Sequence, residues 1–205
     1  CLQVLERDRV RRGGPVVGLL ALPAAAEAHL VTSGLGPFYD GVLHLLLSPA
    51  DLLGLVAAAL LAGLRGPRAA RLTVIALPVS WLLAGSTGMA LPLEHDFAWL
   101  GVVSFMVLGV LVAADARLPP VFVAFLGASY GALHGLMNGA ALFAMGAGGA
   151  SLFGIVLAVF LIALLTSATV VPLRAFWARI AVRVAGSWVV AVGILMLGWL
   201  SYGVA

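Results

Sequence analysis

"PPVFVAFLGASYGALHGLMNGAALFAM" (119–145) decides how this chain is read. It holds no Asp, Glu, Lys or Arg and is long enough to cross the roughly 30 Å hydrocarbon core of a bilayer as a helix. Yet it carries an imidazole, His134, and an amide, Asn138, one helical turn apart on one face. Outside that run the composition is the same. The chain of 205 residues is 63% hydrophobic and 9% charged, where soluble domains carry roughly 25% charged residues. Its mean hydropathy is +1.18. This predicts an all-α, polytopic membrane helix bundle with about six transmembrane helices of ~20 residues each. The net charge of +3 comes from arginine without any lysine, and it is read as setting orientation in the membrane rather than as binding nucleic acid.

The first residues read as an N-terminal extension and signal peptide, 1–28. "RDRVRRGG" (7–14) is a basic stretch, "PVVGLLALPAAA" (15–26) an apolar one, and "AEA" (26–28) supplies small residues for cleavage. Cleavage after Ala28 would leave His29 at the mature N-terminus, where amine and imidazole together chelate a divalent transition metal. Residues 29–205 then form the transmembrane helical domain. The single cysteine, Cys1, cannot close an internal disulfide.

Six spans are expected at about 49–64, 70–87, 97–114, 119–145, 150–171 and 176–203. A short outer-side helix over 36–47 precedes them. "SPAD" (48–51) opens the first span with Ser48 as N-cap, Pro49 at N1 and Asp51 as a first-turn acid. Arginines fall in alternate connections: Arg65, Arg68 and Arg71, then Arg117, then Arg174, Arg179 and Arg183. The positive-inside rule puts these at the cytoplasmic face and the mature N-terminus on the outer side of a bacterial inner membrane.

On that topology all four histidines fall in the outer half. His134 lies about fifteen residues into its span, roughly 22 Å from the inner face. His29 and His44 precede the first span. His95 stands between Glu94 and Asp96 in the outer loop "LPLEHDF" (91–97). Asp40 and His44 repeat the one-turn spacing of His134 and Asn138. Imidazole, carboxylate and amide form a mixed N/O donor set for a first-row dication such as nickel or cobalt, one that can release its ion. The metal-binding candidates are therefore His29, Asp40, His44, His134 and Asn138, with Glu94, His95 and Asp96 as an outer capture group. Met89, Met106, Met137 and Met145 are read as packing. Ser104, Ser129 and Ser167 accompany His134 and Asp96, but there is no HExxH pair and no P-loop, so no enzyme is expected.

"AHLVTSGLGPFYDGVLHLLLSPADLL" (28–53), an Arg-bearing turn, and "YGALHGLMNG" (130–139) resemble the HupE/UreJ family. The resemblance implies a small integral membrane protein with a signal peptide and about six spans. It further implies a nickel or cobalt permease, or a non-transporting accessory protein, serving hydrogenase or urease maturation. Ni2+ or Co2+ is then a transported substrate, and no prosthetic group is implied. Asp40, His44 and His134 correspond to the family's metal pathway, with His29 as a further candidate. Better-known members carry a fuller "HPxxGxDH" block, and many have an acid where Asn138 stands. Fewer negative charges mean weaker capture of a dication.

Overall fold

The structure, a computed structural model, describes residues 33–91 and 98–202. The segment expected to be a signal peptide (1–28), His29, and the residues expected to form an outer capture group, Glu94, His95 and Asp96, lie outside the described residues. Seven helices make up the rest: α1 (Pro37–Leu47), α2 (Pro49–Leu64), α3 (Pro67–Ala90), α4 (Ala98–Ala113), α5 (Pro120–Ala144), α6 (Gly149–Val170) and α7 (Phe176–Tyr202). No strand occurs among the described residues. Proline opens α1, α2, α3 and α5, where its missing N–H costs nothing.

The span count differs from the expected six. Four helices, α3, α5, α6 and α7, are long and apolar enough to cross alone. α2 and α4 have 16 residues each, short of the usual span. α1 and α2 together have the length and apolarity of one span but are bent by 76° at their junction, the form of a broken span or a re-entrant loop. The break falls at Ser48, whose backbone is extended. Pro49 follows, and the residue before a proline is driven away from helical geometry. Ser48 does not act as the side-chain cap expected of it; its hydroxyl donates to the His44 carbonyl at 2.7 Å.

α2 is the innermost helix, with Leu55, Ala57, Leu61 and Ala62 fully buried. An apolar helix without a polar face belongs in the interior. α3 runs along α5, α4 along α7 and α1 along α6, and α2 touches all of them. The α3–α5 contact is set by glycine. Gly127, Gly131, Gly135 and Gly139 recur every fourth residue of α5. A Cβ at Gly131, Gly135 or Gly139 would overlap the carbonyl oxygens of Leu77, Trp81 and Gly85 respectively. Small residues at this spacing let two backbones touch, which is how helices associate where no hydrophobic effect drives them.

The arginine-rich end is held by one acid. Asp115 sits in the α4–α5 turn with a φ of 50°, a conformation Asp tolerates. Its carboxylate pairs with Arg65 at the end of α2 and with Arg179 of α7 at 3.3 Å. Arg183 adds a hydrogen bond from Nε to the Ala113 carbonyl at 2.9 Å.

Candidate functional site

The glycine ridge fixes the rotation of α5. The neighbouring ridge, one residue earlier at each step, is Tyr130, His134 and Asn138. With glycines turned to α3, this polar ridge meets α2 at Asp51 and Gly54. His134 and Asn138 are 1% and 4% exposed, and Asp51 is 6%. Gly54 makes room for the Tyr130 ring, which a Cβ there would strike.

Asp51 organises the cluster. Its Oδ1 lies 2.6 Å from His134 Nδ1, and its Oδ2 accepts from Asn138 Nδ2 at 3.1 Å. Asn138 Nδ2 also donates to the His134 carbonyl at 2.8 Å. Both partners are acceptors, which fixes the orientation of the amide and leaves Asn138 Oδ1 buried without a hydrogen-bond partner among the described residues. The Tyr130 hydroxyl sits 2.8 Å from the carbonyls of Ala50 and Asp51, locking the start of α2. Its ring stacks on His134 with centroids 4.1 Å apart. Ser104 Oγ of α4 lies 2.9 Å from His134 Nε2 and 2.7 Å from the Gly101 carbonyl.

This geometry assigns work to each atom. A carboxylate facing Nδ1 orients the ring and turns Nε2 toward Ser104, as outer carboxylates orient metal-bound histidines. The serine hydroxyl at Nε2 stands where an arriving cation would stand. The cluster opens on a cavity of about 450 Å³ lined by Asp51, His134, Asn138, Met137, Ser48 and His44. His44, 9% exposed, thus reaches the same space from the last turn of α1.

The expected site residues therefore divide. His44, His134 and Asn138 share the cavity. Asp40 does not line it; its Oδ1 accepts from the backbone N–H and the hydroxyl of Ser33, at 2.7 and 2.6 Å. The Asp40–His44 pair expected from spacing is thus not assembled at the cavity, because Asp40 is engaged by the turn before α1. Asp51, expected only as a first-turn charge, is the acid that lines the cavity among the described residues. Its own helix gave no sign of this, since its partner lies 83 residues further on. The signal available was its cost: a carboxylate inside a span needs a partner. Among the described residues no three His, Cys, Asp or Glu side chains gather to hold an ion. A cation here would complete its shell with water and the amide or hydroxyl oxygens nearby.

"GASYG" (127–131) has the spacing of a hydrolase nucleophile elbow. It lies inside the continuous helix α5, however, without the strand-to-helix turn that exposes such a serine.

The fold and cluster define a multi-pass helical membrane protein with a buried carboxylate–imidazole pair lining an open cavity. The chain belongs to the HupE/UreJ family: the family model described as "HupE / UreJ protein" matches residues 17–196. No curated protein and no solved structure matches it.

Proposed function

We propose that this protein is a permease for a divalent transition metal ion, nickel or cobalt, in a bacterial inner membrane, supplying hydrogenase or urease maturation. The observation that carries this is the Asp51–His134–Asn138 cluster, buried in an apolar bundle and open to a cavity that His44 also lines. Ionisable groups at membrane depth are costly and mark ion pathways. The ion is the substrate. It enters from the outer side past His29 and the Glu94–Asp96 loop and trades part of its water for His134 Nε2. The orphaned Asn138 Oδ1 and the Asp51 charge favour a cation over a neutral solute. Few protein ligands suit an ion that must leave.

The test is uptake of radiolabelled nickel by proteoliposomes holding the full chain. Wild type loads the lumen; His134→Ala does not, while remaining folded and inserted. A protein that binds nickel but loads no lumen is instead the non-transporting accessory member of the family.

A further inference from the structure

A second cavity, of about 460 Å³, lies far from the ion cluster, in the groove between α3 and α6 at the arginine-rich end. It is lined by Val74, Ile75, Leu164, Ala168 and Val171, with Arg71 among the lining residues of its arginine-rich end. α3 leaves this end and α6 returns to it, so the groove runs along both helices from this end. Ile75, one turn beyond Arg71, is 63% exposed, which places this groove on the outer surface of the bundle. Ser167 presents no free donor, because its hydroxyl is spent on the Ala163 carbonyl at 2.7 Å. The groove is therefore apolar along its length and cationic at one end. Neither Asp nor Glu lines it. Arg65 and Arg179 share the Asp115 carboxylate, whereas Arg71 is exposed and has no ion-pair partner among the described residues.

We infer that this groove holds an anionic phospholipid, with an acyl chain between α3 and α6 and the phosphate on Arg71. In a bilayer the surrounding solvent is acyl chain, so an apolar groove open to the surface is filled by one. What the groove adds is a guanidinium at the depth of the headgroup, with donors arranged for phosphate oxygens. A zwitterionic lipid brings its own compensating cation, whereas a net anionic headgroup does not, and basic pockets between membrane helices select on that difference. The inference does not depend on whether the protein transports ions.

The test is native mass spectrometry of the purified full chain given equal amounts of phosphatidylglycerol and phosphatidylcholine with matched chains. Wild type retains the anionic lipid in about fivefold excess, the preference one interfacial arginine supplies. Arg71→Gln brings the ratio near one. Arg68→Gln, an exposed arginine that does not line the groove, leaves it unchanged. Ala168→Phe fills the groove and removes retained lipid of both kinds. Equal retention by wild type overturns the inference. So does an equal loss in the Arg71 and Arg68 variants, which would mean diffuse surface charge. Undiminished binding in Ala168→Phe would place the lipid elsewhere and overturn it too.

Discussion

Asp51 does two things at once: it orients the His134 ring through Nδ1, and it places a negative charge beside the cavity. Asp51→Asn keeps the shape and an acceptor oxygen but removes the charge. Nickel uptake in liposomes should fall by about 10- to 100-fold, the usual cost of losing a carboxylate behind a metal-binding histidine. On the proposed function, in which Nε2 is the metal ligand, Ser104→Ala should keep uptake; a loss as deep as that of His134→Ala would make Ser104 a ligand instead. At this scale the chain was half legible. The one-turn spacing of His134 and Asn138, in a run without Asp, Glu, Lys or Arg, pointed to the buried polar cluster. Asp51 was not legible, because an acid in the first turn of a helix already has a local explanation in the helix dipole. Asp40 shows the converse: its spacing to His44 is right, but its carboxylate accepts from Ser33 and does not line the cavity.

Helix limits followed from proline and glycine punctuation, and α2 and α5–α7 fall within a residue of expectation. The sequence did not disclose that α1 and α2 form a bent pair, since whether a short apolar helix continues a span depends on what it packs against. Here that is α6, where a Cβ on Gly154 would overlap the Phe38 carbonyl. The i, i+4 glycine ridge of α5 was present in the sequence, but its partner helix was not. Gly135→Val tests the ridge. The added atoms meet the Trp81 backbone, which cannot swing aside as a side chain can. Overpacking of this kind costs about 1–3 kcal/mol. Thermal unfolding in detergent should show a clear loss relative to wild type, whereas Gly148→Val, where a Cβ meets nothing, should not.

The molecule as a whole is polarised. One end carries the paired arginines around Asp115; the cavity with His44 and His134 opens toward the other. At the arginine-rich end α2, α7 and the α4–α5 turn are tied by a single carboxylate. Asp115→Asn should lower the midpoint of thermal unfolding and leave membrane insertion intact, since the ties between α2, α7 and the α4–α5 turn are lost while the apolar helices are untouched. Sidedness is separately testable: a cysteine introduced at Ala147 should react with an impermeant thiol reagent on intact cells, and one at Arg68 only after permeabilisation.

The central claim is that His134 and His44, with Asp51 behind the first, converge on one cation. Crystals of the full chain soaked in nickel, with anomalous scattering recorded at the nickel edge, address it most directly. The account predicts a peak in the shared cavity, within bonding distance of His134 Nε2 and on its His44 side, that disappears in His134→Ala. A nickel peak elsewhere in the bundle, with the cavity empty and Ser104 still at Nε2, would contradict it.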